Sequence, residues 1–204
     1  MREKGKNCSG TIKDIRDLKR IAAKLKDYNY PAYILWSIIL GTGYRGGDAV
    51  KLTVEDIREA IKIGQLNVFE EKTKDTRKIP FKRVAYLNNE LIYILSEYIK
   101  DKKDWEYLYP SEKGSEPHIK RQSLGKIFKK VICEDLRILP KTTAIGTHTP
   151  RKTYGYMQYI EHDRDIYFVQ EMFGHAATKT TKSYIGIDED NAKEASKVMG
   201  KYIF

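Results

Sequence analysis

The longest apolar run of the chain is AYILWSIIL, residues 32–40. A helix that crosses a membrane needs roughly 20 apolar residues, so this run is too short to do so. Pro31 precedes it, and Gly41 and Gly43 follow it, which is the order in which proline and glycine flank helices. The sequence therefore predicts a buried helix here, around which the rest of the chain must pack.

Helical spacing of apolar residues recurs along most of the remaining chain. The segments are 11–25, 88–103, 121–139, 154–162, 165–174, 178–184 and 188–200. Residues 46–57, GGDAVKLTVEDI, predict a short helix and then a turn into a strand. LNVF at 66–69 and RKIPF at 77–81 suit strands and flank the polar segment EEKTKDT, which predicts a β-hairpin or a small three-stranded sheet.

These patterns predict a mainly α protein with a small antiparallel β-sheet, in the α+β class. After a basic lead-in at 1–10, residues 11–204 form one predicted domain. The two cysteines, Cys8 and Cys133, form neither a disulfide framework nor a metal-ligand spacing, so we expect a reducing, cytoplasmic setting.

The charge of the chain points to a polyanionic partner. Thirty-eight Lys and Arg against 28 Asp and Glu give a formal net charge of +10. Nucleic acid is the commonest partner of a surface this basic. The alternative is a basic surface that serves solubility alone.

The motif THTPRKTYG, residues 147–155, predicts an anion site at the start of a helix. Thr149 can cap the helix, Pro150 fits its first position, and Arg151 then lies in the first turn with His148 just outside it. Helix N-termini attract anions through free N–H groups and the helix dipole, so His148 and Arg151 could grip a phosphate. The alternative is a surface cap with incidental charges.

Three other segments carry further candidates. GTGYRGGD places Arg45 in a glycine-rich turn, where the backbone can approach closely and the guanidinium fork suits two phosphate oxygens. EEKTKDTRKIP places Lys72 at the edge of the predicted hairpin turn. EMFGHAATKTTKSY places His175 after Gly174, with Tyr184 nine residues later.

Taken in this order, the motifs resemble those of the tyrosine recombinases, also called phage integrases. The matching elements are TGYR, the hairpin lysine, HTPR, FGH and KSY. The resemblance covers about residues 11–199 and implies the catalytic-domain fold of that family. Each motif alone is weak, but their order and spacing together are specific. Type IB topoisomerases share similar chemistry, although H-x-x-R and G-H are closer to a recombinase.

The resemblance implies site-specific DNA recombination by transesterification. In the family, a tyrosine attacks a backbone phosphate and forms a 3′-phosphotyrosine link, and the 5′-hydroxyl leaves. No ATP, metal or other cofactor is implied. Tyr184 is then the nucleophile, which needs assistance because a tyrosine pKa is about 10 in solution.

The other matched residues acquire roles from the same resemblance. Arg45 and Arg151 would clamp the phosphate, since fixed cations aimed at developing charge are usually the largest catalytic factor. His175 would add a hydrogen bond, and His148 would accept or orient the proton of the tyrosine. Asp48 would orient Arg45 from behind.

Lys72 would protonate the leaving 5′-oxygen. It lies eight residues before Pro80, as in the family, but the neighbouring Lys74, Arg77 and Lys78 are alternatives. The remaining candidates are interpreted as structural. His118 and His162 are predicted surface residues, whereas Met172, Phe173, Tyr154, Tyr156 and Tyr159 are predicted core or packing residues.

The expected partner is double-stranded DNA. We expect the protein to form a homo-oligomer on the DNA, which in the family is a tetramer. We do not expect it to associate with a membrane. The family's separate N-terminal DNA-clamping domain is not expected in this sequence, which indicates either a fragment or a short single-domain recombinase. The tail at 197–204 either docks on a neighbouring protomer or folds back onto its own domain. Alternative functions are a non-catalytic DNA-binding accessory protein and a topoisomerase-like nicking-closing enzyme.

Overall fold

The computed structural model describes residues 10–69, 82–111, 117–200 and 203. The elements are α1 (Ile15–Tyr28), α2 (Tyr30–Thr42), α3 (Gly46–Ala49), α4 (Val54–Ile63), β1 (Gln65–Phe69), β2 (Lys82–Tyr86), α5 (Asn89–Ile99), α6 (Arg121–Lys129) with a following π-helical segment (Lys130–Asp135), α7 (His148–Glu161), α8 (Ile166–Phe173), α9 (Thr178–Ile185) and α10 (Asp188–Met199). The two strands pair antiparallel, with Gln65 opposite Tyr86 and Phe69 opposite Lys82. The predicted mainly α fold with a small antiparallel sheet is confirmed.

The predicted buried helix is α2, and it lies at the centre of the molecule. Asn29 caps it by accepting a hydrogen bond from the Ala32 N–H at 2.9 Å, and Gly43 ends it in the left-handed conformation. Helices α1, α5, α6 and α7 all contact it. Trp36 on α2 packs edge-to-face on Phe128 of α6, with ring centroids 5.2 Å apart. No helix in the described part of the chain is long and apolar enough to cross a membrane.

The strand predicted near the end of residues 46–57 is wrong, because helix α4 begins there. The Thr53 side chain accepts from the Asp56 N–H at 3.2 Å, and the Asp56 carboxylate accepts from the Thr53 N–H at 2.8 Å. This reciprocal capping satisfies two N–H groups that the first helical turn leaves open, so it starts a helix where the apolar pattern suggested a strand. Thr53 forms only an isolated β-bridge, with Tyr107.

The apolar residues form two separate cores. The larger one surrounds α2 and draws on α1 through α6, the sheet and the π-helical segment. The smaller one contains Val169, Phe173, Ile185 and Ile187, with tyrosines of α7 packed against it. Helix α7 lies between them, since it contacts α2 on one side and α8 and α9 on the other.

The second strand of the hairpin is β2, which begins at Lys82. The predicted strand at 77–81 lies outside the described residues, and so does the turn before it. Asn88 caps the next helix, α5, and its side chain accepts from the Leu91 N–H at 2.8 Å.

Candidate functional site

Arg45 follows the end of α2 in a turn that two neighbouring residues fix. Gly43 has a φ of +67°, and a Cβ there would lie 2.5 Å from the Tyr154 ring, so glycine is required for two reasons. The Tyr44 hydroxyl lies 3.0 Å from the Arg83 carbonyl oxygen and also contacts the Leu66 carbonyl oxygen. The turn that presents Arg45 is therefore anchored to both strands of the hairpin.

The Arg45 turn lies directly against the start of α7. A Cβ added at Gly46 would overlap the side chain of Thr147, the residue before α7. Asp48 is buried one turn after Arg45, on the short helix α3, and its N–H donates to the Arg45 carbonyl at 3.0 Å. Gly46 thus allows two motifs about a hundred residues apart in sequence to pack together. The predicted role of Asp48 in orienting Arg45 stays a prediction.

The THTPRKTYG motif starts a helix, but two residues earlier than predicted. Helix α7 begins at His148, and the Thr149 hydroxyl accepts from the Gly146 N–H at 3.3 Å rather than capping the helix. Pro150 still lies in the first turn, where its missing N–H leaves no intrahelical bond unmade. His148 is therefore inside this turn rather than before it, and it is exposed.

Arg151 lies at the bottom of the site and is only 2% exposed. Its Nη1 donates to the Gly43 carbonyl oxygen, which ties α7 to the turn that carries Arg45. Its guanidinium carbon lies 4.5 Å from the centroid of the Phe173 ring. The structure thus holds Arg151 rigidly between the two cores, because it bonds to one and stacks on the other.

The side chains of His175 and Tyr184 lie against each other. Gly174 ends α8 with a φ of +64°, and His175 follows it directly. The rings of His175 and Tyr184 are 5.3 Å apart and nearly perpendicular, at 78°. The His175 Nδ1 lies 3.0 Å from the Thr181 hydroxyl, one turn before Tyr184 on α9.

Phe173 is buried in the smaller core, as predicted, and its ring also lies against two of the predicted site residues. Its ring centroid lies 5.4 Å from that of His175 and 5.4 Å from that of Tyr184. Together with the Arg151 contact, Phe173 touches three predicted site residues. Tyr154 and Tyr156 pack against the same core, as predicted.

Lys152 is a site residue that sequence reasoning missed. It is 4% exposed, and its Nζ lies 5.1 Å from the centroid of the Tyr184 ring. All five residues from Thr149 to Thr153 are buried, so Lys152 lies in an enclosed stretch of α7. In the sequence, only its position directly after Arg151 in the motif indicates Lys152. Otherwise it is one of 38 Lys and Arg residues.

Arg83 on β2 is a second missed residue. Its Nη1 donates to the Met172 carbonyl oxygen, and its Nη2 donates to the Phe173 carbonyl oxygen at 3.2 Å. A cation is favourable there because the last carbonyls of a helix carry negative partial charge. Burial raises the pKa of Tyr154, while Arg83 and Arg151 act in the opposite direction. Arg83 therefore fastens the hairpin to the end of α8, next to His175.

A basic groove opens beside His148. It has a volume of about 370 Å³ and lies between α6 and the loop that leads into α7. Its basic lining residues are Arg121, Lys126, Lys129 and His148. Close packing of α6 on this loop is possible because a Cβ at Gly125 would already be 3.3 Å from Gly146. The groove suits a polyanion that approaches the site from the α6 side.

The structure brings most of the predicted site together. Arg151, His175 and Tyr184 lie around Phe173. Arg151 also bonds to the turn that carries Arg45, with Asp48 on the short helix after it. His148 lies on the exposed side of the α7 start. Lys72 lies outside the described residues, so its position stays a prediction.

Comparison with known proteins gives consistent matches over most of the chain. The Phage integrase family matches residues 13–191. The "Probable integrase/recombinase YoeC" of Bacillus subtilis (strain 168) is 31% identical over 189 residues, which cover 93% of this chain and 96% of that protein. Tyrosine recombinase XerD of Corynebacterium glutamicum is 26% identical over 160 residues, 78% of this chain and 49% of that protein. The chain thus spans about half the length of that relative.

Solved structures share the fold. XerA recombinase superimposes with a TM-score of 0.64 at 19% identity, over 93% of this chain and 63% of that one. The catalytic domain of bacteriophage HP1 integrase superimposes with a TM-score of 0.52 at 17% identity, over 92% of this chain and 94% of that one. The expected recombinase catalytic-domain fold is confirmed.

Proposed function

The chain belongs to the phage integrase family, and on that premise we propose that it is a site-specific DNA recombinase that cuts and rejoins DNA through Tyr184. The observation that carries the proposal is the packing of Tyr184 against His175 and Phe173, with Arg151 on the same phenylalanine. A tyrosine placed beside fixed cationic donors is the arrangement that phosphoryl transfer requires.

In the proposed reaction, the Tyr184 oxygen attacks a backbone phosphorus. The bond between phosphorus and the 5′-oxygen breaks, which leaves a 3′-phosphotyrosine and a free 5′-hydroxyl. The phosphodiester is exchanged for another phosphate ester, so the strand can be rejoined by the reverse step without ATP. Arg45 and Arg151 hold the non-bridging oxygens, where negative charge accumulates.

The histidines and Lys72 donate hydrogen bonds or transfer protons in this scheme. His175, held by Thr181, donates a hydrogen bond to the phosphate. His148 accepts or orients the proton that leaves the phenol, and Lys72 supplies a proton to the 5′-oxygen. Asp48 orients Arg45.

Double-stranded DNA is the proposed substrate. Solved relatives include XerH bound to its difH substrate and the Tn1549 transposon integrase in complex with circular intermediate DNA. The basic groove beside His148 provides phosphate-binding side chains on this chain. Assembly into a tetramer on DNA, with the tail at 197–204 exchanged between protomers, is part of the proposal.

A nicked suicide substrate tests the proposal directly. The short fragment that carries the free 5′-hydroxyl diffuses away after cleavage, so an active enzyme accumulates a covalent protein–DNA adduct that migrates slowly on a denaturing gel. We expect the adduct with the wild-type chain on DNA that flanks its gene, and none with Tyr184→Phe. Tyr93→Phe, an exposed tyrosine on α5, is the matched control and should keep it. Absence of any adduct with wild-type protein that binds this DNA contradicts the proposal.

A substrate with two sites separates recombination from nicking and closing. Recombinant product supports a recombinase, whereas relaxation of supercoils without recombinants supports a topoisomerase-like activity.

A further inference from the structure

Lys152 is a buried cation beside the proposed nucleophile. Its side chain starts from the second turn of α7 and reaches the face of the Tyr184 ring, with 5.1 Å between Nζ and the ring centroid. This distance is within the range in which an ammonium interacts with an aromatic ring. Its neighbour Arg151 faces Phe173 instead, so the two adjacent cations serve two different rings.

Burying an ammonium group is costly unless its surroundings compensate for the lost water. A lysine that only served solubility or a surface phosphate contact would lie exposed, as Lys126 in the basic groove does. Lys152, at 4% exposure, is not part of that solvent-facing basic surface. The π-face of Tyr184 offers part of the compensation, and a phenolate would offer more, because the same ring then carries a full negative charge.

We propose that Lys152 is a positioning residue that holds the Tyr184 ring and stabilises its phenolate, so that the nucleophile forms more readily at neutral pH. The proposal rests on the function proposed for Tyr184. Lys152 does not touch the DNA; it acts through the tyrosine. The two neighbouring cations thereby have different roles: Arg151 holds the phosphate, and Lys152 holds the tyrosine side chain that attacks it.

Other ionisable groups also lie near the Tyr184 ring and affect how readily its hydroxyl loses a proton. His175 packs on Tyr184 from the α8–α9 turn, and Arg151 lies behind the shared Phe173. A protonated His175 would favour the phenolate in the same direction as Lys152. An imidazole in water is charged mainly below about pH 6.5, whereas an alkylammonium in water is charged up to about pH 10. The two can therefore be separated by measuring over a range of pH.

The first test measures the pKa of Tyr184 without any DNA. 3-Fluorotyrosine is incorporated at position 184 alone, and its ¹⁹F chemical shift is followed from neutral to alkaline pH. Because an opposite charge within roughly 4–6 Å moves a pKa by about 1–3 units, we expect Lys152→Met to raise this pKa by about one unit. Lys152→Arg should keep the wild-type value. Lys179→Met, which removes an exposed lysine from the same helix as Tyr184, is the matched control and should also leave it unchanged.

The second test measures single-turnover adduct formation with the suicide substrate between about pH 6 and pH 10. We expect Lys152→Met to be about tenfold slower at pH 7, with a difference that narrows as pH rises, because alkali then generates the phenolate without help. Lys152→Arg should follow the wild-type profile.

An equal pKa in Lys152→Met and the wild type overturns the proposal, as does a rate reduction of the same factor at every pH, which indicates a structural role alone. If Lys152→Met does not fold, Lys152→Gln gives the same comparison with a polar side chain of similar length. The titration needs no cleavage, so a chain that forms no adduct would refute the proposed function without deciding the role of Lys152.

Discussion

The two cores of this molecule differ in size and in the site residues that they support. The larger core, built around α2, holds the Arg45 turn through Tyr44, whose hydroxyl contacts two strand carbonyls. Among the described residues, the smaller core has four buried apolar side chains, and it carries His175 and Tyr184. The Arg45 turn of the proposed site is therefore supported by a large apolar core, whereas the nucleophile half, with His175 and Tyr184, is supported by a small one.

The consequence is a difference in local stability. Segments with few buried apolar contacts open more easily than the rest of a domain. Specific contacts attach the nucleophile half to helix α7 and to the larger core. They are the Gly155–Phe173 packing, the Arg83 hydrogen bonds to the end of α8, and a 2.8 Å hydrogen bond from Lys13 to the Gly186 carbonyl. We expect hydrogen exchange to be faster in α8 and α9 than in α2.

The largest effect is expected at Gly46, where the Arg45 turn meets α7. In Gly46→Ala, the new Cβ overlaps Thr147, so the turn and the helix must separate. We expect a loss of about 1–3 kcal/mol of unfolding free energy. Adduct formation should fall about a hundredfold, since small misplacements of site residues cost that much. Thermal unfolding and the suicide-substrate assay measure the two effects.

The neighbouring glycine provides the control for this change. A Cβ at Gly47 would lie 3.9 Å from Arg121, an ordinary contact, so Gly47→Ala should be neutral. The double variant Gly46→Ala with Thr147→Gly should recover much of the lost activity, because it removes the overlapping side chain. Equal effects of the two alanine substitutions would show that the contact with Thr147 is unimportant.

Gly155→Ala is expected to have the next largest effect, and it tests the smaller core. The added Cβ would lie 2.5 Å from Phe173 and 2.9 Å from Ile185, so α8 and α9 must move away from α7. We expect about 1–3 kcal/mol of destabilisation, concentrated in α8 and α9. Native-state hydrogen exchange should show faster exchange there and little change in α2. Uniformly faster exchange across both cores would mean that the two halves unfold as one unit.

Arg83→Met is also expected to loosen helix α8, but less than Gly155→Ala does. It removes the hydrogen bonds to the Met172 and Phe173 carbonyls, and bonds to a charged group contribute about 1.5–3 kcal/mol each at most. We expect about tenfold slower adduct formation and faster exchange in α8, with DNA affinity nearly unchanged. Arg83→Lys keeps the charge but cannot reach both carbonyls in the same way, so it should recover only part of the rate. Wild-type rates in Arg83→Met would exclude this link between hairpin and α8.

The smallest effect is expected for Thr181→Val, which keeps the shape of the side chain and removes the hydroxyl next to His175. One neutral hydrogen bond contributes about 1 kcal/mol, so we expect adduct formation about fivefold slower. The melting temperature should change little. Thr180→Val, an exposed neighbour on the same helix, is the matched control. A rate unaffected by Thr181→Val would show that His175 is held by other contacts.

Several features could be predicted because their causes are local in sequence. Pro31, Gly43 and the apolar run between them define α2, and Asn88 identifies the start of α5. A local signal of the same kind lies at Thr53 and Asp56, whose reciprocal hydrogen bonds start helix α4 where a strand was predicted. The helix start at His148 differed by two residues, since a proline is tolerated anywhere in a first turn.

The sequence by itself determined the family motifs, their order and most helices, because these depend on residue identity and spacing along the chain. Only the tertiary structure decided which cations are buried and what they face. Lys152 reaches the Tyr184 ring, Arg151 stacks on Phe173, and Arg83 bonds to the end of α8. Each contact joins segments that are far apart in the chain or on different helices. Such contacts form only when whole helices pack, so spacing within a motif cannot reveal them.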